Sequence, residues 1–175
     1  MDLRGVQDKA TRAKGITYFE NSKRAALSHI AYAKKNPKKM PGYGPVWGLT
    51  DCGCPLHDSG FGKHGLSPTE QDPAQDDGTI AFSAAGGSIV FTPKESADFL
   101  RHVYELYGEK VYDQYGFRNA FNAKTGWFDP NHDPLNKGAM LCSIENHRTG
   151  LIWKLFMRNP EVQSAMRKAG FTKKQ

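Results

Sequence analysis

The stretch of this chain that decides its fold is GAMLCSIENHRTGLIWKLFMR, at residues 138–158. Its composition predicts an apolar helix, which a polar cluster at residues 145–149, Glu-Asn-His-Arg-Thr, interrupts in the middle. Polar groups inside a buried helix cost free energy unless they are paired or face a cleft. The carboxylate of Glu145, the imidazole of His147 and the guanidinium of Arg148 can bind a polar ligand or transfer protons. A buried ion-pair network that joins helices is the alternative interpretation.

Three further segments have the apolar spacing or the terminal residues of helices. Residues 17–36 carry apolar side chains at helical spacing and end at an Asn-Pro pair. Residues 92–95, Thr-Pro-Lys-Glu, predict the start of a helix with a capping box, and Gly108 ends it. The sequence Asn-Pro-Glu at residues 159–161 starts a last helix that runs to Ala169. The chain is therefore expected to be mainly α, with about five helices.

Two long irregular stretches lie between the predicted helices. Residues 37–78 are rich in Gly, Pro and Asp, and residues 113–137 show no helical periodicity. Loops of this length inside a compact domain are uncommon and usually functional. Residues 79–91 are small and apolar and are expected to form a short buried helix or turn. We find no clean alternation of apolar and polar residues, the pattern that predicts a strand.

The composition is that of a globular domain. The chain has 175 residues, 38% of them hydrophobic and 24% charged, which is enough for one domain with a core. Much of the net charge of +6 lies around residues 34–39 and 167–174, where it fits solvated helix ends, and no nucleic-acid partner is expected. No apolar run approaches the roughly 20 residues of a membrane span. The N-terminus lacks the apolar core of a signal peptide.

The cysteines do not predict a metal site. Cys52, Cys54 and Cys142 cannot all pair with one another. The Cys-Gly-Cys sequence at residues 52–54 has the wrong spacing for a usual zinc site, and no second pair follows it. Although His57 is nearby, three possible ligands on a Gly-rich loop are weak evidence, so free thiols and no metal are expected.

Aromatic and acidic side chains recur together in the two long loops. Flat aromatic faces suit the apolar faces of sugar rings, and neighbouring carboxylates accept hydrogen bonds from sugar hydroxyls. The loop candidates for sugar binding are Tyr43, Trp47, Asp51, Asp76, Trp127 and Asp129. Two simpler interpretations stay open. The tryptophans would pack into the core and so hold the loops against it. One carboxylate of the Asp76-Asp77 pair would cap a helix.

Five segments in this order resemble the C-terminal half of the bacterial glycoamylase-like ("putative glucoamylase") domain. They are YFENS at 18–22, GYGPVWGLT at 42–50, DGTIA at 77–81, WFDP at 127–130 and IENHRTGLIW at 144–153. The resemblance covers about residues 16–171. The family includes endo-β-1,2-glucanases and the related domain of cyclic β-1,2-glucan synthases.

The resemblance implies both a fold and an activity. The implied fold is part of an α/α toroid, a six-hairpin barrel with long loops that line a central cleft. The implied activity is glycoside hydrolysis of β-linked glucan, above all β-1,2-glucan, with no metal or organic cofactor. Because members of the family are usually exported, the intact parent is expected to be periplasmic or secreted in a bacterium.

A complete toroid is larger than this chain. Twelve helices of about 11–12 residues with their loops do not fit in 175 residues. Residues 1–175 are therefore expected to form a single domain, the C-terminal half of a larger hydrolase domain, and Met1 to be an internal or truncated start. The Asp-Cys-Gly-Cys sequence at residues 51–54 departs from the family, in which small polar residues are usual at this place.

The implied chemistry needs two carboxyl groups that flank the scissile bond. These groups stand about 6.5–9.5 Å apart in inverting glycosidases and about 5–5.5 Å apart in retaining ones. The resemblance suggests inversion for the glucanase branch and retention for the synthase branch. Glu145 is the candidate acid/base or hydroxyl ligand, and Asp77 is the next catalytic candidate. His147 and Arg148 would orient Glu145 or bind hydroxyls, and an essential carboxylate is expected in the absent half.

Two functions of other classes stay open. One is a non-catalytic carbohydrate-binding remnant that keeps the aromatic residues and the cluster at residues 145–149 but lacks a complete carboxylate pair. The other is a helical interaction domain. Half a toroid would leave an apolar flank uncovered, which predicts oligomers of this chain.

Overall fold

The computed structural model describes residues 3–53, 61–62 and 76–173, and within these ranges the chain is mainly helical, as expected. Its α-helices are α1 (Lys9–Ala13), α2 (Tyr18–Lys35), α3 (Phe82–Gly87), α4 (Pro93–Tyr107), α5 (Pro134–Arg148), α6 (Leu151–Arg158) and α7 (Pro160–Lys168). Its strands are β1 (Val6–Gln7), β2 (Cys52–Gly53), β3 (Phe61–Gly62), β4 (Thr79–Ala81), β5 (Tyr112–Asp113), β6 (Gly116–Phe117), β7 (Ala120–Asn122), β8 (Trp127–Phe128) and β9 (Thr172–Lys173).

Helix α2 begins and ends where the sequence predicts. The Thr17 hydroxyl accepts a hydrogen bond from the Glu20 amide, and the Glu20 carboxylate accepts one from the Thr17 amide. This reciprocal pair satisfies two backbone donors that a helix start otherwise leaves unpaired. The helix ends at Asn36, which adopts the left-handed conformation at a φ of 43°. Its buried face, which includes Ile30 and Ala33, packs into the core.

The start of α4 corrects one prediction. Pro93 occupies the first turn as expected, but Thr92 makes no capping hydrogen bond to the helix, so the predicted capping box does not form. The Thr92 hydroxyl instead donates to the carbonyl of Ser88 at 3.2 Å and lies 3.2 Å from the Ser96 hydroxyl. The helix is thus joined to the preceding turn, and it ends at Gly108 as predicted.

The single helix predicted over residues 138–158 is two helices, α5 and α6, which meet at an elbow. Gly150 is in the left-handed conformation at a φ of 69°, which breaks the helix. The side chain of Asn146 accepts from the Trp153 amide at 3.0 Å, and the Thr149 hydroxyl accepts from the Leu151 amide at 3.1 Å. Polar residues that were expected to interrupt a helix therefore satisfy the free amides at the start of the next one.

Both irregular stretches contain strands that the sequence did not reveal. Strands β4, β7 and β8 form a three-stranded antiparallel sheet in that order, with Ile80 paired to Phe121 and Phe121 paired to Phe128. A strand of two or three residues is too short to show an alternating pattern. Residues 79–91 accordingly form β4 followed by α3, which corrects the expectation of a helix or turn alone.

The core lies where α2, α3, α4 and the three-stranded sheet meet. Phe82 of α3 is at its centre, with ring centroids 5.2 Å from Phe117, 5.3 Å from Phe121 and 6.2 Å from Phe99. Gly48 passes close to this layer, because its carbonyl accepts from the Ala81 amide at 3.0 Å. Close aromatic packing and backbone contact at this point fix the first loop to the sheet.

Two other features of the fold bear on function. Strands β1 and β9 pair antiparallel, with Val6 opposite Lys173, so the two ends of the described chain lie side by side. Several large apolar side chains of α5 and α6 are exposed, in contrast to the buried helix that the sequence predicts. We call this surface the α5–α6 face, and its members are Leu135, Leu141, Leu151, Ile152, Leu155 and Phe156.

Candidate functional site

The elbow between α5 and α6 holds the cluster at residues 145–149 at the surface. The Glu145 carboxylate accepts from the Thr149 hydroxyl at 2.5 Å and from the Arg148 guanidinium at 3.2 Å. The Glu145 side chain is 26% exposed, and that of Arg148 is 69% exposed. A carboxylate held in place by two donors still has acceptor sites for a ligand hydroxyl. The ion pair between Glu145 and Arg148 lies within α5, so in this structure it joins no second helix.

A pocket of about 580 Å³ lies beside this elbow. We call it the elbow pocket. Phe19 of α2 and Trp153 of α6 form two of its walls, with ring centroids 6.5 Å apart in an edge-on arrangement. The other lining residues are Arg4, Val90, Asn146, His147, Thr149, Gly150, Lys154, Met157 and Arg158. Its volume lies within the roughly 300–1,000 Å³ that is usual for small-ligand sites.

Asp76 and Tyr43, both predicted to bind sugar, contact each other inside the protein. The Asp76 carboxylate, in a residue only 3% exposed, accepts from the hydroxyls of Tyr43 at 2.7 Å and Tyr32 at 2.8 Å. The Gly78 amide donates to the same carboxylate at 3.0 Å. Burial, followed by the hydrogen bond and charge of Asp76, raises the pKa of both tyrosines above the ordinary value. This group anchors the first loop to α2, and its hydrogen bonds are internal to the protein, so sugar binding by Tyr43 and Asp76 stays a prediction.

Asp77 lies in the turn before β4, on a different element from Glu145. Its carboxylate accepts from the Thr79 amide at 2.9 Å, and its carbonyl accepts from the Asn122 side chain at 3.2 Å. The carboxylates at 76 and 77 therefore hold a strand start, whereas the sequence predicted a helix start. The structure thus places the two catalytic candidates on separate elements, and it pairs Glu145 with Arg148 on the elbow that also carries His147.

The two candidate tryptophans differ in burial. Trp47 is 3% exposed and packs on Phe99, with ring centroids 6.2 Å apart. A ring buried in this way cannot offer its face to a sugar, so the core-packing interpretation of Trp47 applies. Trp127 is half-buried in β8 and packs against the small cluster of Cys52 and Ala120.

Asp129 is also a structural residue rather than an exposed ligand. Its carboxylate is buried and accepts from the Asn119 side chain at 3.1 Å and from the Asn131 amide at 2.9 Å. The Asn136 side chain then donates to the Asn119 side chain and to the Asp51 carbonyl. These hydrogen bonds join both loops to the start of α5, and Asp51 itself is exposed. The sugar-binding expectation for Asp129 is corrected by its burial.

Sequence reasoning missed Phe19, Asn146 and Trp153 as pocket residues. Trp153 lies in an apolar run, which normally indicates core packing, and Phe19 comes from a helix over one hundred residues earlier. The position of Asn146 within the polar cluster was the best available indication of the pocket. Asn146 caps α6 only because the helix breaks at Gly150, and the continuous apolar pattern gives no sign of that break.

In residues 3–53, 61–62 and 76–173, no group of three His, Cys, Asp or Glu side chains is close enough to hold a metal ion. Cys142 is exposed and has a free thiol, whereas Cys54 and His57 lie outside the described residues. No helix in the described parts of the chain has both the length and the apolar character that a membrane crossing requires.

Three known proteins are similar to this chain. An exo beta-1,2-glucooligosaccharide sophorohydrolase (non-reducing end) of Parabacteroides distasonis is 36% identical over 156 residues, which are 89% of this chain and 20% of the relative. The crystal structure of a putative glucoamylase from Bacteroides fragilis matches all of this chain and 39% of its own, with a TM-score of 0.88 and 37% identity. An endo-beta-1,2-glucanase from Chitinophaga pinensis, in complex with sophorotriose and glucose, matches 98% of this chain and 38% of its own, with a TM-score of 0.86 and 32% identity.

This chain thus spans about a fifth of the curated relative that it matches and about two fifths of each of these two structures. The family model described as "Putative glucoamylase" matches residues 1–160. That match confirms the family that the five sequence segments predicted. The chain belongs to the glycoamylase family, whose model is described as "Putative glucoamylase".

Proposed function

We propose that this chain is part of the catalytic domain of a glycoside hydrolase that acts on β-linked glucan, and specifically on β-1,2-glucan. The observation that carries the proposal is the 36% identity to a sophorohydrolase over 89% of the chain. The structural match to an endo-beta-1,2-glucanase that holds sophorotriose supports the same substrate class. For the parent protein we propose a periplasmic or secreted location in a bacterium.

Within this domain we assign substrate contact to the α5–α6 elbow. Glu145 would act as acid/base or as a ligand for a sugar hydroxyl, since its carboxylate is held in place yet accessible. His147 and Arg148 would bind neighbouring hydroxyls. Asp77 remains the second catalytic candidate, with a carboxylate that also holds the turn before β4. A further essential carboxylate would come from the part of the domain that the relatives have beyond this match, with inversion as the proposed outcome.

For the whole fold we propose an α/α toroid of which this chain forms the C-terminal part. The α5–α6 face supports this proposal, because Leu141 is 68% exposed and Phe156 is 55% exposed. Apolar surface of this kind marks a contact with another element or partner. In the toroid, the remaining helices of the domain would cover it.

Carbohydrate binding without hydrolysis is the second candidate function. The observation that favours it is the elbow pocket, which has aromatic walls and lies beside Glu145 without needing a second carboxylate. A chain that binds glucan but does not cleave it would fit this alternative.

Product analysis of the intact parent protein with linear β-1,2-glucan, and with soluble starch as the control substrate, tests the hydrolase. We expect sophoro-oligosaccharides from the glucan alone, and a Glu145→Gln variant should lose about 100-fold or more in turnover, as is usual when an acid/base group is removed. Glu105→Gln, an exposed change on α4, is the matched control and should keep full activity.

Three other outcomes would contradict a part of this proposal. Hydrolysis that is undiminished in Glu145→Gln would overturn the role of Glu145. Binding of the glucan without any product would replace hydrolysis with the second candidate function. Cleavage of starch in preference to β-1,2-glucan would contradict the proposed substrate.

A further inference from the structure

The elbow pocket is bordered by the cationic side chains of Arg4, Lys154 and Arg158, with the imidazole of His147 beside them. The described residues that line it include no aspartate or glutamate. Within the described parts of the chain, no carboxylate forms an ion pair with His147, Lys154 or Arg158. The carboxylate of Glu145, next to the pocket in sequence, is already bound by its own neighbours on the elbow. The charge that faces the pocket is therefore positive.

The hydrogen-bonding groups of the pocket are mostly donors. The Asn146 side-chain oxygen already accepts from the Trp153 amide. The Thr149 hydroxyl accepts from Leu151, and the Thr149 carbonyl accepts from the Lys154 ammonium at 2.7 Å. Lysine and arginine can only donate. The ammonium of Lys154 and the guanidinium of Arg158 have further N–H groups, which can donate to an oxyanion at the edge of the pocket.

The apolar part of the pocket suits a ring. Phe19 and Trp153 stand edge-on at 6.5 Å, and Val90 and Met157 complete the apolar lining. Aromatic side chains give sugar rings a flat apolar surface, and a few polar groups then fix the orientation of the ligand. The cations lie on the same helix as Trp153, because Lys154 and Arg158 both belong to α6.

We propose that the elbow pocket binds an anionic saccharide, with the sugar ring against Trp153 and a phosphate, sulfate or carboxylate substituent on Lys154, Arg158 and His147. This ligand class differs from the neutral glucan of the proposed hydrolase. Binding at this site requires no hydrolysis, so the two proposals stand or fall by separate measurements.

Calorimetric titration of the 175-residue chain with glucose 6-phosphate, glucuronate, glucose and inorganic phosphate tests the site. We expect at least one of the two anionic sugars to bind about tenfold more tightly than either glucose or inorganic phosphate, because charge-assisted hydrogen bonds add to ring contact. Raising the salt concentration from about 0.05 to 0.5 M should weaken that binding, since salt screens exposed charges.

Charge-neutralising variants locate the site. Lys154→Gln combined with Arg158→Gln should weaken binding of the anionic sugar about tenfold, because each lost charge-assisted hydrogen bond removes part of the affinity. Arg167→Gln combined with Lys168→Gln makes the same change of charge on exposed α7 and should leave the affinity unchanged. Far-ultraviolet circular dichroism and the midpoint of thermal unfolding show whether each variant remains folded.

Three results would overturn the proposal. One is that neither anionic sugar binds more tightly than glucose. Another is that inorganic phosphate alone binds as tightly as glucose 6-phosphate, which would leave no role for the ring. The third is that the α7 control variant loses as much affinity as the α6 variant.

Discussion

At the scale of single residues, two positions, Gly48 and Asp76, hold the first loop against the rest of the protein. Gly48 has a φ of +132°, and a Cβ placed on it would lie 2.8 Å from the Ala81 carbonyl oxygen. Both the backbone conformation and the contact exclude a side chain. The buried Asp76 is a second such position, since hydroxyls from two different elements converge on it.

Replacing Gly48 with alanine should destabilise the fold by at least about 2 kcal/mol, because a strained conformation and a backbone collision act together. The free energy of unfolding from urea titration measures this. Gly126→Ala is the matched control, since Gly126 also has a positive φ of +71° but nothing within 4 Å of its Cβ position. Equal losses in the two variants would show that the contact with Ala81 contributes nothing.

Above pH 10, stability should fall more steeply in the wild-type chain than in a Tyr43→Phe variant. The pKa of Tyr43 is raised above its ordinary value of 10.0 by burial and by Asp76, so the folded state keeps a proton that the unfolded state loses. This contribution to stability is complete below pH 10 and declines as the pH rises above it. Urea unfolding between neutral and alkaline pH measures the slope.

Tyr115→Phe is the control for the alkaline prediction, because Tyr115 is exposed at the tip of the β5–β6 hairpin. Its slope should match that of the wild-type chain. If Tyr43→Phe also leaves the slope unchanged, the hydrogen bond between Tyr43 and Asp76 does not control the alkaline stability.

At the scale of elements, the elbow between α5 and α6 depends on side chains that replace missing backbone partners. Asn146 belongs to the last turn of α5 and caps the first turn of α6. Thr149 contacts both Glu145 and Leu151. The helix break at Gly150, the cap of α6 and the orientation of Glu145 therefore depend on one another.

Asn146→Ala should lower the free energy of unfolding by about 1 kcal/mol, the usual loss when a capping side chain is removed. Asn146→Asp should lose less, because it keeps the acceptor and adds a negative charge near the positive end of the α6 dipole. Thermal unfolding of both variants measures the difference. An aspartate variant as unstable as the alanine variant would contradict the capping role.

Local signals explain which elements could be predicted from the sequence. Residues at the helix ends predict where three helices start or stop. They are Asn36 at the end of α2, Gly108 at the end of α4 and Asn159 at the start of α7. The strands could not be predicted because two or three residues contain no period. The burial of Asp76 could not be predicted either, since its partner Tyr32 lies 44 positions away. For the same reason Trp47 looked like a ligand residue, since Phe99, on which it packs, comes much later in the chain.

At the scale of the whole molecule, the α5–α6 face exposes apolar side chains that a folded domain usually buries. We expect the isolated chain to self-associate through this face, because exposed apolar surface drives contact between copies. Leu141→Glu combined with Phe156→Glu should lower the mass that light scattering measures, since charge disfavours burial of the face. A wild-type chain that is monomeric at every concentration would contradict this expectation.

Leu106→Glu is the control for self-association, because Leu106 is also exposed but lies on α4. It should leave the scattering mass unchanged. A loss of association in this variant equal to that of the double variant would show that the α5–α6 face has no special role.

Because β1 pairs with β9, the chain could be circularly permuted. Val6 and Lys173 are opposite each other, so a short flexible linker could join the two ends covalently without moving the core. New ends could then be opened in the exposed turn at residues 124–126, between β7 and β8. Such a circular permutant would keep the same neighbours in space, but the elbow would leave the ribosome before strands β4 and β7 instead of after them.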